Sequence, residues 1–255
     1  MKVTAIIQAR TGSTRLPKKV LMDLAGKTVL EHVINRVTAC RLVDSVLVAT
    51  TVEAEDDDIV KLCKKNNTAF FRGSVEDVLD RFYQAGKISS AEHIIRITAD
   101  CPMMDPDVIN SVAELHLKEK SDYTTNTLKL TYPDGEDVEI FTFSTLEKTW
   151  KNASLKSERE HVTSYMRKNP AVFKLSNLEN SENLSDKRWT LDEEKDYKFI
   201  SAIYAGIYKK NSLFGMSEII TYLKSHPEIE HINKHIGRNE GYTKSLKNDF
   251  TVKKI

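Results

Sequence analysis

The sequence predicts an α/β protein, with a mostly parallel sheet covered by helices on both faces and a mixed-sheet elaboration appended to it. Two observations predict this. Over the first 120 residues, short apolar runs alternate with longer segments whose apolar residues recur at helical spacing, the signature of repeated βα units. Past that point the alternation breaks into strands in irregular order, separated by loops rich in Asn, Ser and Asp.

Residues 3–9 read as a continuous apolar strand. Gly26-Lys27-Thr28 resembles the end of a P-loop, but the glycine required five residues earlier is Leu21 and no strand feeds into it. It reads instead as a turn in which Thr28 caps the next helix and Glu31 completes a capping box. That helix spans 29–40, with Val29, Leu30, Val33, Ile34 and Val37 on one face. Residues 45–51 form a second strand, followed by a helix over 56–66 with Ile59, Val60, Leu62 and Cys63 inward. A short third strand over 68–72 leads to a helix over 75–87, and a fourth strand over 93–100 to a helix over 106–118 with Pro106 in its first turn.

In the second half, 122–126 and 137–143 read as strands, 157–168 as a charged amphipathic helix, and 172–175 and 189–191 as further strands. The loop over 177–187 is expected to be mobile. A helix over 193–209 buries Tyr197, Ile200, Ile203, Tyr204 and Ile207, and the tail past Ile232 is polar with little pattern. No internal repeat or dividing linker appears, so one domain over 1–255 is expected.

A formal net charge of +1 across 255 residues argues against nucleic-acid binding as the main role, so local cations serve a local anion. The first apolar run is too short for a signal peptide and no stretch reaches membrane-span length, so a cytoplasmic protein is expected. Cys40, Cys63 and Cys101 lack metal-ligand or redox spacing, and Cys101 has no histidine placed to activate it.

The chemistry concentrates at predicted strand ends, where open α/β sheets bind ligands. After the first strand, a Gly12-Ser13 turn is flanked by Arg10, Arg15, Lys18 and Lys19. Backbone N–H groups bared by such a turn, with cations closing over it, suit a triphosphate. A solvated basic loop is the plainer alternative. Arg72-Gly73 follows the third strand, Thr98 to Pro102 the fourth, and Leu191-Asp192 a late one. Asp100, at the end of an apolar strand and before Pro102, is placed to hold a cation or to cap a turn.

These residues resemble the sugar cytidylyltransferases, the group that includes the KDO and acylneuraminate enzymes, and within it the spore-coat polysaccharide biosynthesis branch. The likeness is carried in order by Gln8-Ala9-Arg10, Gly12-Ser13, Arg15-Leu16-Pro17-x-Lys19-Val20-Leu21, Arg72-Gly73, Asp77-Val78-Leu79-x-Arg81, Arg96 to Pro102, Asp137-Val138-Glu139, Arg159 to Thr163 and Leu191-Asp192. It covers about residues 3–210. The resemblance implies a Rossmann-like three-layer αβα nucleotidyltransferase fold, in which 1–120 is the nucleotide-binding half, 121–190 the acceptor and dimerisation elaboration, and 191–255 the C-terminal helices and tail. It implies transfer of CMP from CTP to a sugar acid or related hydroxylated acceptor, with release of pyrophosphate, in surface polysaccharide biosynthesis. The implied catalytic residues are Arg15, Lys19, Asp100 and Asp192, with the two aspartates holding Mg²⁺.

The implied nucleotide site comprises Ala9, Arg10, Gly12, Ser13, Arg15, Lys19, Arg72, Asp77, Arg81 and Thr98. Asp77 and Arg81 read equally as an Arg-Asp pair tying a loop to a helix. Asp137, Glu139, Arg159 and His161 are implied on the acceptor side, with His161 alternatively a solvated surface residue. Asp196 is expected to be structural, and a homodimer is implied. The chain has Val20 where the KDO and sialate enzymes usually have Asn, and Gln8 where Pro is common, which puts a 2-keto sugar acid in question as acceptor. A glycosyltransferase consuming a sugar nucleotide and a catalytically silent nucleotide-binding module remain as alternatives.

Overall fold

The computed structural model describes residues 1–238 and 249–252. The first half runs β1 (Val3–Gln8), a 3-10 turn (Lys19–Leu21), the small hairpin β2 (Asp23–Leu24) and β3 (Lys27–Thr28), α1 (Val29–Thr38), β4 (Ser45–Thr51), α2 (Asp57–Lys65), β5 (Ala69–Gly73), α3 (Val78–Ile88), β6 (His93–Thr98) and α4 (Pro106–Glu119). The second half contains β7 (Tyr123–Thr125), β8 (Glu139–Thr142), α5 (Phe143–Asn152), α6 (Lys156–Glu160), α7 (Ser164–Lys168), β9 (Leu175–Asn177), α8 (Glu194–Ile207), α9 (Met216–Ser225) and α10 (Pro227–Glu230).

Seven strands form one sheet in the order β5-β4-β1-β6-β8-β7-β9. The first four are mutually parallel, whereas β8 runs antiparallel to both neighbours. Alternating side chains of β1 show how the layers arise. Ala5 and Ile7 pack with α1, α2 and α4 residues such as Val33, Leu62 and Ile109 on one face; Ile6 packs with Leu79 and Phe82 of α3 and Leu146 of α5 on the other. A third apolar cluster joins α8 to α10 with Trp189 and Leu191. The strand order reverses at β1, so the carboxyl ends of β1 and β6 flank the crevice where such sheets bind ligands.

The predicted cap is present: Thr28 Oγ1 accepts from the Glu31 N–H at 3.2 Å, and Glu31 Oε2 accepts from the Thr28 N–H at 2.7 Å. The predicted helix over 157–168 is instead two helices, α6 and α7, broken around Val162 at φ 53°. A β-branched residue in that region is strained. The break buries Val162 and turns the Thr163 hydroxyl onto Glu139 Oε1 at 2.6 Å. The predicted strand over 189–191 is extended chain without a ladder, because its amides serve different partners: Trp189 donates to Asp134 O and Leu191 to Asp100 O, at 2.6 and 2.8 Å.

The sequence expectations do not contain α5 or α9; Phe143, read as a strand end, starts α5 behind a Thr142 cap. The loop over 177–187 meets the chain at Thr131, whose hydroxyl accepts from Asn180 N at 2.8 Å and whose carbonyl accepts from Leu184 N at 2.9 Å. Within the tail, Asp249 accepts from the Ser157 N–H and hydroxyl, and Phe250 O from the Lys156 N–H. No described helix is long and apolar enough to cross a membrane.

Candidate active site

The loop after β1 is built on a buried carboxylate. Thr11 turns its N–H and hydroxyl onto Asp56 Oδ1, both at 2.7 Å, while Asp56 Oδ2 accepts from Thr50 and Thr51. Burial raises the Asp56 pKa, but these hydrogen bonds, led by those from Thr51 and Thr11, outweigh it and hold the group below its ordinary value. Ser13 and Lys18 both donate backbone N–H groups to Thr11 O, closing the turn. A Cβ on Gly12 would project into open space, so the backbone there is bare toward the crevice.

Beneath the loop lies a cavity of about 370 Å³, lined by Arg10, Gly12, Ser13, Arg15 and Lys19 of the loop and by Thr98, Ala99, Asp100 and Asp192. Lys19 Nζ bridges the two carboxylates, 2.6 Å from Asp100 Oδ2 and 2.8 Å from Asp192 Oδ1. Burial lowers the Lys19 pKa, and the facing charges of Asp100 and Asp192 more than reverse it, so the ammonium is held above its ordinary value. Burial likewise pushes Asp100 up and Lys19 overcomes it, leaving the carboxyl below its usual range. Arg15 Nη2 and Arg188 Nη2 also reach Asp192 Oδ2, at 3.0 and 3.3 Å.

Arg188 is fixed by a two-point contact with fully buried Asp196, both bonds 2.9 Å, and by Asp134 at 3.1 Å. Asp196 also accepts the Asp192 and Glu193 amides at the start of α8. It therefore sets the position of Asp192 from behind.

A second cavity, about 400 Å³, shares Thr98 and Asp100 with the first and is lined further by Arg96, Asp137, Glu139, His161, Arg167 and Arg238. Glu139 is spent internally: it accepts from Arg96 at 2.5 Å, and from Tyr123 and Thr163 at 2.6 Å. It positions Arg96 in the cavity wall. Asp137 pairs with Arg238; burial still keeps its pKa above the ordinary value. A third cavity, about 310 Å³, continues from Gln8 and Arg10 to Val75, Glu76 and His161.

Four sequence-derived site residues lie elsewhere. Arg72 ties loop to helix through Thr51 O, Glu53 O and Asp57. Asp77 caps α3 and is paired with Arg159, which also donates to Trp150 O. Arg81 is fully buried and donates to Ser74 O. Arg159 is thereby a brace between α6 and α3, outside the lining of the second cavity. Ala9 is buried and donates its N–H to Ala49 O, so it fixes the loop's departure from the sheet. Arg188, Arg167 and Arg238 were not singled out from sequence. Arg188 carried a signal, its i+4 and i+8 spacing to Asp192 and Asp196.

The two aspartates fit a magnesium ion: they are hard oxygen donors, Asp100 just past β6 and Asp192 just ahead of α8, and an ammonium already bridges them. Among the described residues, no group of three or more His, Cys, Asp or Glu is arranged to hold a metal. Phosphate oxygens and water would have to complete the coordination. Cys101 lies beside this site, but burial raises its thiol well above the ordinary pKa, which suppresses thiolate chemistry.

Fold and strand-end crevice together define an α/β protein of the nucleotidyltransferase architecture. A solved cytidylyltransferase from Leptospira borgpetersenii superposes with TM-score 0.87 at 32% identity, covering 94% of this chain and all of that one. A CMP-KDO synthetase structure shares the fold at TM-score 0.64 and 18% identity, covering 81% of this chain and 99% of that one. The pattern that defines the cytidylyltransferases matches residues 4–241, and the chain belongs to that family. It is similar to the spore coat polysaccharide biosynthesis protein SpsF of Bacillus subtilis, 34% identical over 88% of this chain and 94% of that one. An uncharacterised protein of Methanocaldococcus jannaschii is 42% identical over 95% of this chain and 98% of its own length.

Proposed function

We propose that this protein transfers CMP from CTP to a hydroxylated, acidic sugar-type acceptor, releasing pyrophosphate, and that it serves surface polysaccharide biosynthesis in the cytoplasm. One observation carries the reading: a cavity under a triphosphate-scale basic loop meets a second polar cavity at Thr98 and Asp100, so two substrates can face each other there. The name of SpsF supports the polysaccharide role, and that of a 3-deoxy-manno-octulosonate cytidylyltransferase from Solibacter usitatus, 34% identical over 54% of this chain and 53% of its own, supports the cytidylyl transfer.

In this reading Arg10, Arg15, Lys19 and the Gly12-Ser13 backbone hold the phosphates, with the nucleoside toward Val75. The acceptor lies against Arg167, Arg238 and His161. An acceptor hydroxyl oxygen attacks the α-phosphorus, its proton passes to solvent water, and the bond to the bridging oxygen of pyrophosphate breaks. Arg15 and Lys19 neutralise charge growing on the leaving pyrophosphate, which is where fixed cations accelerate phosphoryl chemistry. Mg²⁺, when held by Asp100 and Asp192, supplies Lewis-acid charge at the phosphoryl oxygens.

The test is pyrophosphate release from each of the four nucleoside triphosphates with Mg²⁺, against a panel of acidic and phosphorylated sugars. Release with CTP and one acceptor is expected. Use of a sugar nucleotide without pyrophosphate release would support the glycosyltransferase reading, and CTP binding without turnover across the whole panel would support a silent binding module.

A further inference from the structure

We propose that Lys19 is the resident cation of the Asp100–Asp192 pair, and that its ammonium must pass to the triphosphate before those carboxylates accept a divalent metal. The inference rests on the nucleotidyl-transfer reading and extends it to the coupling between metal and nucleotide.

The geometry supplies the first part. Lys19 Nζ lies within 2.8 Å of both carboxylates, and its side chain is only 11% exposed. One ammonium therefore occupies the gap that a metal would need. Asp192 keeps Arg15 and Arg188 if Lys19 leaves, but Asp100 has no other ion pair among the described residues. Departure of Lys19 thus exposes a carboxylate that requires a replacement cation, and a desolvated unpaired charge is costly.

The donor set supplies the second part. The described residues offer two carboxylates and no cage of three or more ligands. Magnesium-like ions complete such sites with phosphate oxygens and water. Lys19 lines the same cavity as Arg10, Gly12, Ser13 and Arg15. The triphosphate is consequently both the anion that draws Lys19 away and the source of the missing ligands. Metal and nucleotide then raise each other's affinity by one shared factor, as linkage requires.

The test measures Mn²⁺ binding without nucleotide, from the loss of the free-ion electron paramagnetic resonance signal, using the full-length protein. Wild type is expected to bind weakly, and Lys19→Met at least about tenfold more tightly. Lys19→Arg, which keeps a cation, should stay close to wild type. The K19M/D100N double variant should lose the gained site, and circular dichroism checks that each variant folds. Should K19M fail to fold, wild type alone decides: Mn²⁺ affinity should rise at least about tenfold when CTP is added, beyond what CTP alone chelates. A tight Mn²⁺ site on nucleotide-free wild type, or no gain in folded K19M, overturns the proposal. Because the metal-only arm uses no nucleotide, a K19M gain alongside wild-type protein that turns over no CTP across the acceptor panel would sink the transfer reading while leaving the exchange standing.

Discussion

At the scale of single residues, the site separates groups that face the crevice from groups that hold them there. Asp100 and Asp192 were legible in sequence because each closes an apolar run, where a carboxylate has no packing reason to be. Arg72, Asp77 and Arg159 are engaged by protein groups, Arg72 by Asp57 and Asp77 by Arg159; a motif shows that an Arg and an Asp are present, not which partner each meets. Arg188 belongs to the supporting set, its side chain 5% exposed and its guanidinium shared by Asp196, Asp134 and Asp192. Arg188→Met leaves fully buried Asp196 without its cation. Urea unfolding is expected to show a loss of about 3–5 kcal/mol, the cost of breaking a buried pair from one side. A loss below about 1 kcal/mol, the range of exposed pairs, would show that the network carries little of the stability.

At the scale of elements, the βα half was legible because β1, β4 and β6 bury residues in the apolar clusters on both sheet faces and each helix buries one stripe, so hydrophobic periodicity marks them. The 157–168 segment was not, because a tertiary bond from Thr163 to Glu139 overrides a helical pattern that sequence displays locally. A similar tertiary tie joins α4 to the sheet: His116 stands between Thr124 Oγ1 at 3.1 Å and His93 Nδ1 at 3.0 Å. Burial, and then the neighbouring His93, push the His116 pKa down to about 4. The unfolded chain therefore takes up this proton near pH 6.5 while the folded one does not. Stability from this group is complete above that pH and is lost as pH falls toward 4, by on the order of 2–3 kcal/mol. Denaturant midpoints between pH 7.5 and about 4.5 should fall in wild type and fall less in His116→Gln. Parallel slopes would remove His116 as the source.

At the scale of the whole molecule, the sheet sets two cavities side by side. The parallel half ends in the basic loop, the antiparallel half brings β8 and α7 to the second cavity, and Asp100 on the last parallel strand end borders both. Tail residue Arg238 completes the wall of the second cavity by pairing with Asp137 and donating to Tyr132 O. Nothing in the sequence marked it, because its partners lie about a hundred positions upstream. This division predicts three separable kinetic signatures. Arg10→Ala should raise the KM for CTP and leave that for the acceptor nearly unchanged. Arg238→Ala should do the reverse, since it opens the second cavity and strands Asp137. Asp100→Asn, at the junction, should lower kcat by about 10²–10³ with little change in thermal midpoint, the range seen when one charge-stabilising group is removed. The comparison is decisive because a fold that merely loosened would move all three parameters together. If R10A and R238A raised both KM values equally, the two cavities would be one site, and the second substrate would have to be sought elsewhere on the surface.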